Sequence, residues 1–364
     1  MTFPAYNTFR RNRTALAGLV LLAATGVASA QSSVTIYGIL DASVRYADGL
    51  DAAYAGSATS TTAINSGVNT TNRWGLRGTE DLGGGLSAIF NLEGGLNVDT
   101  GASSSATKLF DRAAVVGLRG DFGTVTLGRQ TTVLADALAG VDPLSSRFAS
   151  FNPNVAIAAL SAPRLAIEFG PAGAATGSFR LDNSVKYLGK FGDVSVRAMH
   201  AFGEQAGNSS NLSSTGASAA YQTANYTANL AYAQFKNATG LTLKGYFGGV
   251  SGMLGNTRLS LTYGSHEAET TATAKTRNST LGLGGTIALN TSMDLILSHY
   301  QVKRTRTALV DDGFNRTIAF LEYKLSKRSK VYAELDRTGW KNNYQGVGLK
   351  SSATGVSLGV MHTF

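Results

Sequence analysis

Apolar and polar positions alternate with a period of two through most of the chain from Gln31 onward. In VTIYGILDASVRY, residues 34–46, the even-numbered positions are apolar and the odd-numbered positions are mostly polar. Alternation of this kind predicts β-strands with one apolar and one polar face. Each segment is about ten residues long, the length that a tilted strand needs to cross a bilayer. Further copies lie at 86–93, 226–232, 258–263, 281–289 and 331–336.

The connections between the predicted strands are of two kinds. Short turns at 80–85, 120–123, 290–292 and 326–329 take turns with long polar stretches at 47–69, 203–215, 265–277, 303–314 and 340–351. Short turns at one end and long loops at the other are typical of outer-membrane barrels. We therefore predict an all-β fold, a transmembrane antiparallel up-and-down β-barrel of about 16 strands.

A soluble β-sandwich would also show alternation. Here the polar faces carry charges along whole strands and aromatic residues lie near strand ends, which favours a membrane barrel. The last segment, GVSLGVMHTF, alternates up to Phe364. In a barrel, Val356, Leu358, Val360 and Phe364 would face lipid from the strand that closes the sheet and leaves no edge.

The first thirty residues have the organisation of a secretory signal. Arg10, Arg11 and Arg13 precede the apolar run ALAGLVLLAATGV, and small residues end the segment at Ala30. The run is too short to span a bilayer as a helix. We expect residues 1–30 to be removed on export and residues 31–364 to form the barrel.

Composition narrows the functional classes. The chain has no cysteine, so it offers neither disulfides nor a thiolate metal site. Removing the three arginines of residues 1–30 lowers the formal net charge from +9 to +6. The remaining bases are spread along the chain, whereas nucleic-acid-binding domains cluster them on one face. No ligand spacing for a metal and no cofactor motif is present, so we predict neither, and no nucleic-acid partner.

Several motifs resemble a known family. SSVTIYGILD, NRWGLRGTEDLGGGLSAIFNLE, LFDRAAVVGLRGDFGTVTLGRQ, YKLSKRSKVYAEL and the closing MHTF resemble, in order and spacing, the Gram-negative general porins, especially those of β-proteobacteria. The match covers nearly all of residues 31–364. It implies a 16-stranded homotrimeric barrel in the cell outer membrane, surrounded by its lipids, which lets small hydrophilic solutes and ions diffuse passively. It also implies that the assembly machinery reads the terminal strand at Phe364.

One long segment, residues 131–178, remains between the motifs. A stretch of this length in a compact barrel is either functional or disordered, and its many Ala, Leu, Ile and Phe residues argue against disorder. In the family that the chain resembles, this third loop folds into the lumen and narrows the pore.

The resemblance also carries over candidate constriction residues. Arg73 in NRWGLRG and Arg129 in GRQ take the positions of the basic wall, and Arg180 is a third candidate. Asp142 in GVDP takes the place of a loop acid. Bases on the wall facing acids on the loop would create a transverse field that biases ion entry.

Two positions depart from the enterobacterial pattern. Asp142 is not followed by a Pro-Glu pair, and Arg147 lies close by instead; the first-strand base is replaced by Ile39. The first change favours anions and the second removes some of that preference. The balance predicts a weakly to moderately anion-selective pore. Secondary lumenal candidates, chosen by strand alternation, are Arg45, Arg77, Lys186, Arg197 and Arg258, with the acids Asp41 and Glu93.

Other interpretations of these residues stay open. Arg129 shares its alternation phase with Val125 and Leu127, so a role in the lumen requires a bulge. Arg45, Arg77 and Arg258 fit equally well as partners of neighbouring carboxylates or as loop anchors. Asp136 and Glu168 are candidates for capping or anchoring the loop.

Two other functions compete with a general pore. One is a substrate-specific anion channel, for which the apolar stretch NVAIAALSAPRLAIEF would narrow the pore or offer a sliding surface. The more distant one is an outer-membrane barrel enzyme with a Ser-His-acid set. The four histidines, His200, His266, His299 and His362, have no nucleophile motif nearby, so we predict that the chain is not an enzyme.

Overall fold

The structure is a computed structural model that describes residues 33–161, 169 and 179–364. Within these residues the chain forms seventeen β-strands, a short helix and a helical turn at Asn154–Ala158. The strands are β1 (Ser33–Leu50), β2 (Gly56–Ser66), β3 (Arg73–Gly83), β4 (Leu86–Gly95), β5 (Ala113–Gly120), β6 (Gly123–Thr131), β7 (Arg180–Phe191), β8 (Val194–Ala201), β9 (Ser214–Gln222), β10 (Tyr226–Lys236), β11 (Thr242–Leu254), β12 (Thr257–Glu269), β13 (Lys275–Ala288), β14 (Met293–Arg306), β15 (Asp312–Lys324), β16 (Ser329–Lys341) and β17 (Ser352–Thr363). The helix α1 is Val133–Leu138.

The strands close into an antiparallel barrel. From β3 onward each strand pairs with the next, and β17 returns to β1 in a register that runs from Ile39 opposite Thr363 to Asp48 opposite Thr354. Two strands share one position in the ring, because β3 pairs with residues 33–39 of β1 and β2 pairs with residues 42–50. The barrel therefore has 16 positions, as predicted.

Residues 67–72 leave the sheet between β2 and β3. Gly67 takes a positive φ of 76° at the departure point, a conformation that costs glycine little. The backbone N–H of Asp41 donates to Oδ1 of Asn72, and Nδ2 of Asn72 donates to the Asp41 carbonyl oxygen at 3.0 Å. The amide side chain of Asn72 thus satisfies the backbone N–H of Asp41, and it shares the Asp41 carbonyl oxygen with the N–H of Gly67 at 3.0 Å.

The long loop predicted at 47–69 is wrong. β1 continues to Leu50 and pairs with β2, whose sequence GSATSTTAINS is polar at most positions. A strand that is polar on both faces shows no apolar alternation. The β-branched Thr residues were therefore the remaining sequence signal that this segment forms a strand. For the same reason the loops at 265–277 and 303–314 are shorter than predicted, with only 270–274 and 307–311 outside the strands.

The two faces of the wall differ as the alternation predicts. Ile36, Leu230 and Leu358 are exposed to 67%, 64% and 64% on the outer face of the wall. No helix among the described residues is long and apolar enough to cross a membrane. Short turns at one end, such as 84–85 and 192–193, and longer loops at the other, such as 202–213 and 342–351, define a short-turn end and a long-loop end.

The buried core lies inside the ring. Residues 132–161, here called the loop segment, pack on the inner face of the wall: α1 contacts β8 to β11, and the turn at Asn154–Ala158 contacts β11 to β13. Thr132 caps α1, since its hydroxyl accepts the N–H of Ala135 at 3.2 Å. Leu134, Leu138 and Ile157 are almost fully buried in this cluster. This packing explains why the loop segment is rich in apolar residues: their side chains form the buried core inside the barrel.

Candidate pore-lining site

Four arginines come together on the wall formed by β3 to β7. Arg73 and Arg180 begin β3 and β7, Arg112 immediately precedes β5, and Arg129 is near the end of β6. Arg112 is close enough to Arg73 and Arg180 for its positive charge to repel both of theirs. Arg129 repels Arg180 in the same way. We call these four residues the basic wall.

The acids near the basic wall do not balance it. Glu93 accepts Nε of Arg112 at 2.6 Å, and Asp182 accepts Nη1 of Arg129 at 2.8 Å. Arg73 donates Nε to the uncharged carbonyl oxygen of Thr71 at 3.1 Å.

Two further charges lie at the margin of this group. Lys108 also pairs with Asp182, and Asp111 accepts the N–H of Gly95 at 2.7 Å through its carboxylate. Among the described residues, this group has five bases and three acids and keeps a positive excess of two. An excess of fixed positive charge beside an aqueous passage raises the local concentration of anions.

The irregularity beside Arg129 lies on the neighbouring strand. The register between β6 and β7 shifts between Gly128 and Gln130, where Asp182 and Asn183 of β7 face the single residue Arg129, and Asn183 has a φ of 52°. Thr126 and Gln130 stay on one face of β6, since the Thr126 hydroxyl donates to Oε1 of Gln130 at 2.7 Å, so Arg129 keeps the alternation phase of Leu127. Nε of Arg129 donates to the Asp111 carbonyl oxygen at 2.6 Å. Its role in permeation stays a prediction.

Sequence reasoning missed Arg112. Continued alternation from β5 would point it toward lipid together with Val116, but Arg112 lies one residue before the strand and is largely buried beside Glu93. The available signal was its place in the family motif LFDRAAVVG. Ile39, the position that lacks the first-strand base, lies directly opposite Arg73 in the ladder.

Asp142 does not face a passage, in contrast to the expectation for a loop acid. Its side chain is fully buried and accepts hydrogen bonds from the N–H of Ser146 at 2.7 Å and from the amides of Asn152 and Asn154 at 2.8 Å each. Tyr300 of β14 donates its hydroxyl at 3.1 Å. Burial raises the pKa of the Asp142 carboxyl, while these four donors act in the opposite direction.

We expect Asp142→Asn to affect stability more than ion selectivity. The amide would bring an N–H₂ group toward donors, and leaving buried donors unsatisfied costs about 1–3 kcal/mol. The free energy of unfolding should fall by about that amount, while the zero-current potential across a salt gradient should change little. A potential change as large as that produced by replacing Arg73 would instead place Asp142 on the permeation path.

Two secondary candidates hold the start of the loop segment. Nζ of Lys186 lies 2.8 Å from Oδ2 of Asp136, and Nε of Arg197 lies 3.7 Å from the same oxygen. Thr131 also donates its hydroxyl to Asp136 at 2.6 Å. Asp136 therefore anchors α1 to the wall. Glu168, the other proposed anchor, lies outside the described residues.

Arg45 belongs to a closed ion-pair network. It is buried, with Nη1 at 2.8 Å from Glu334 and Nη2 at 2.5 Å from Asp336, both on β16. Its guanidinium also lies 5.1 Å from the ring centroid of Phe148 and 5.7 Å from that of Phe151, in the loop segment. These contacts favour the interpretation that Arg45 satisfies carboxylates and supports the loop.

Two other candidates, Arg258 and Arg77, also make local contacts. Arg258 donates to the hydroxyl oxygens of Ser145 at 3.2 Å and Ser251 at 3.0 Å, which ties the loop to β12. The Arg77 guanidinium lies 5.1 Å from the ring centroid of Tyr37.

Asp41 is buried beside residues 67–72, here called the strand interruption. It accepts the Tyr332 hydroxyl at 2.6 Å and the N–H of Thr70 at 2.5 Å. This carboxylate therefore holds residues 67–72 in place and is not available to mobile ions.

Glu322 on β15 joins the loop segment to the strand interruption. Its carboxylate accepts Nε of Arg147 at 2.6 Å, Nδ2 of Asn69 at 2.5 Å and Nζ of Lys330 at 3.0 Å. Arg147, which the sequence placed beside the missing second acid, is thus neutralised. Glu322 was not among the predicted residues, and its inward alternation phase with the buried Phe320 was the signal that could have found it.

Phe364 completes the barrel closure. Its N–H donates to the Gly38 carbonyl oxygen at 3.1 Å, and the Gly38 N–H donates back at 3.1 Å. The ring lies over Gly38, where a β-carbon would collide with it.

Among the described residues, no group of three or more His, Cys, Asp and Glu side chains is arranged to hold a metal ion.

A closed barrel with an apolar exterior, a polar interior and a loop packed inside defines a channel-forming protein of the outer membrane. The chain belongs to the Gram-negative porin family, since the model of that family matches residues 15–362.

Individual relatives agree with this assignment. Outer membrane porin protein 32 of Delftia acidovorans is 31% identical, with 96% of this chain and 99% of that protein covered. An outer membrane porin protein of Bordetella pertussis is 37% identical over 164 residues, 42% of each chain. The solved structure of an anion-selective porin from Comamonas acidovorans superposes with a TM-score of 0.75 and 26% identity, covering 92% of this chain and 100% of that one.

The protein is therefore an outer-membrane porin and not an enzyme. Its barrel provides a water-filled channel through which small hydrophilic solutes and ions diffuse passively.

Proposed function

We propose that the porin is weakly to moderately anion-selective and that the basic wall sets this preference. The observation that carries the proposal is the positive excess around Arg73, Arg112 and Arg180. The loop acids among the described residues do not offset it, because Asp136 is paired with Lys186 and Asp142 is enclosed by neutral donors. Among the residues that the structure describes, the constriction then has bases on one side and no exposed acid on the loop opposite.

The solved relative supports the sign of the selectivity. That porin from Comamonas acidovorans is described as anion-selective, and its likeness extends over 92% of this chain.

Residues 131–178 form the constriction in this proposal. The described part of the loop is fixed at two distant places on the inner face, by Asn229 of β10 donating to the Ala137 carbonyl oxygen at 2.6 Å and by Arg147 pairing with Glu322 of β15. A segment anchored on both β10 and β15 reduces the open cross-section of the barrel. The same proposal assigns residues 1–30 to a secretory signal and residues 31–364 to the porin barrel.

The substrate-specific alternative loses part of its support. The sliding surface expected at NVAIAALSAPRLAIEF requires exposed apolar side chains, but Val155, Ile157 and Leu160 are buried against the wall. A specific channel is therefore favoured only if a solute blocks the ion current in a saturable way.

The resemblance to the porin family also suggests the partners of this porin. We propose that it forms a homotrimer, that its exposed apolar outer face contacts outer-membrane lipids, and that Phe364 belongs to the signal read by the assembly machinery. The mass of the detergent-solubilised, unheated protein tests the trimer.

The experiment that tests the proposed selectivity is the zero-current potential of the purified protein in a planar bilayer across a potassium chloride gradient. We expect stepwise ohmic currents and a potential of the sign given by chloride preference. A potential of the opposite sign would overturn anion selectivity while keeping the channel. Absence of steps from folded protein would contradict the channel itself.

A further inference from the structure

Two arginines border a small cavity at the short-turn end of the barrel, away from the basic wall. Arg77 of β3 and Arg119 of β5 both line this cavity, which has a volume of about 250 Å³. Arg77 lies four residues beyond Arg73 on β3, which is about 13 Å nearer the short turns at a rise of about 3.3 Å per residue. We call this cavity the mouth pocket, and it is separate in space from the constriction.

The strand register shows that the mouth pocket opens into the lumen. Arg77 is opposite Thr35 of β1. On its other side Arg77 is opposite Asn91 of β4, which in turn is opposite Val115 of β5. Residues directly opposite each other lie on one face of the sheet. Since Ile36, which alternates with Thr35, is exposed on the outer face, the lining residues face inward.

The lining of the mouth pocket is rich in hydrogen-bond donors. Besides the two guanidinium groups, it contains the amide of Asn91 and the hydroxyl groups of Ser33, Thr35 and Thr79. The amide oxygen of Asn91 accepts the Tyr37 hydroxyl at 2.8 Å, so the N–H₂ group remains available to a ligand.

The two arginines keep their positive charge. Within residues 33–161, 169 and 179–364, no carboxylate lies at ion-pair distance from Arg77 or Arg119. The Arg77 guanidinium lies 5.1 Å from the ring centroid of Tyr37, a contact that orients the group without cancelling its charge. Both arginines are exposed to the water of the lumen.

Two acids of the inner face lie near the mouth pocket but outside its lining. Glu93, on the side of the constriction, accepts Nε of Arg112 at 2.6 Å and the Tyr37 hydroxyl at 2.9 Å. Asp81 is two strands away from Arg119 in the register, about 10 Å at the usual strand spacing. Among the described residues, the lining therefore has two bases and no carboxylate.

This arrangement of donors fits a phosphate group. Guanidinium groups bind the oxygens of phosphate and carboxylate through paired N–H donors. A carboxylate has two oxygens in one plane, whereas a phosphate presents at least three in different directions. Arg77 and Arg119 reach the cavity from different strands with Asn91 between them, so donors approach from several sides. The cavity is smaller than the usual ligand pocket of about 300–1,000 Å³, so its occupant is small.

We propose that the mouth pocket binds the phosphate group of a small permeating solute, either inorganic phosphate or a phosphate monoester. Arg77 and Arg119 neutralise the phosphate charge, and the N–H₂ group of Asn91 donates to a further oxygen. The proposal rests on the proposed preference for anions and deepens it, since it adds a binding step outside the constriction. A phosphate held there reduces the chloride current in a saturable way.

The test measures phosphate binding to the full-length porin in two ways. Phosphorus-31 NMR line broadening in detergent micelles reports binding directly, and block of the chloride current in a planar bilayer reports its effect on conduction. We expect both to saturate with inorganic phosphate in the wild type. In Arg77→Gln/Arg119→Gln the half-saturating concentration should rise several-fold. The control Lys190→Gln/Lys327→Gln, which removes two bases at the same end outside the lining, should behave as wild type.

A second variant and a second anion test the chemistry of the mouth pocket. Asn91→Asp keeps both arginines and nearly the same shape but adds a carboxylate, so it should also weaken phosphate binding several-fold. Acetate should block the wild type only at several-fold higher concentration. Glycerol 3-phosphate distinguishes the two sources: tighter binding than inorganic phosphate supports a monoester, and weaker binding supports inorganic phosphate.

Three results would overturn the mouth pocket. They are block that does not saturate, equal phosphate binding by wild type and both pocket variants, and an equal loss in the lysine control, which would indicate a response to net charge alone. The selectivity is read separately from the zero-current potential. A chloride-type potential without saturable phosphate binding would refute the mouth pocket alone. Saturable binding with a potential of the opposite sign would refute anion selectivity and leave the mouth pocket in place.

Discussion

Replacing Arg73 and Arg180 together with glutamine is expected to lower the anion-to-cation permeability ratio at least about five-fold. A unit charge about 6 Å from a permeating ion contributes about 0.7 kcal/mol in well-hydrated surroundings and about 3 kcal/mol at an effective dielectric constant of about 20. Since about 1.4 kcal/mol corresponds to a factor of ten, loss of two such charges is easily measured. The measurement is the zero-current potential in a potassium chloride gradient.

The matched control for this prediction is Arg337→Gln. Arg337 lies on the outer face of β16 in phase with the exposed Leu335, and its Nη1 donates to Oγ1 of Thr354 at 3.5 Å. It removes the same charge without facing the channel, so its potential should stay at the wild-type value. Arg129→Gln should have a smaller effect, because Asp182 already neutralises that guanidinium. A potential unchanged in Arg73→Gln/Arg180→Gln would refute control by the basic wall.

Replacing Arg45 with methionine is expected to destabilise the barrel by about 3–5 kcal/mol, the range for removing one partner of a buried ion pair. The substitution leaves Glu334 and Asp336 buried without their base. It also removes the cation that lies against Phe148 and Phe151 of the loop segment. The free energy of unfolding in denaturant, followed by the loss of β-sheet circular dichroism, measures the effect.

Two comparisons give this result a specific meaning. Arg337→Met makes the same change at an exposed position of the barrel and should cost little. Adding Glu334→Gln and Asp336→Asn to Arg45→Met should recover much of the stability, since no uncompensated charge then remains. If Arg45→Met were as stable as Arg337→Met, the buried network would have no structural role.

The family motifs locate the candidate residues along the chain but not in space. Arg73 and Arg180 begin β3 and β7, and the structure brings both near Arg112, while their role in selectivity stays a prediction. Arg112 itself was missed because alternation does not apply one residue outside a strand. Asp142 was assigned to the passage on its motif, but its exposure depends on how the loop packs, which the motif does not encode.

The alternation pattern was sufficient to predict the class of fold and the phase of the strands. Period-two alternation is a local property, so it predicts which side of the wall carries Ile36 or Leu358 without knowledge of the rest of the chain. Which bases are neutralised by acids became visible only in the folded barrel. Arg45 and Glu334 are 289 positions apart, and their pairing appears only when β1 and β16 are brought together by closure with β17. Electrostatic fields in a pore depend on such distant pairings, because each neutralised base no longer attracts a mobile ion.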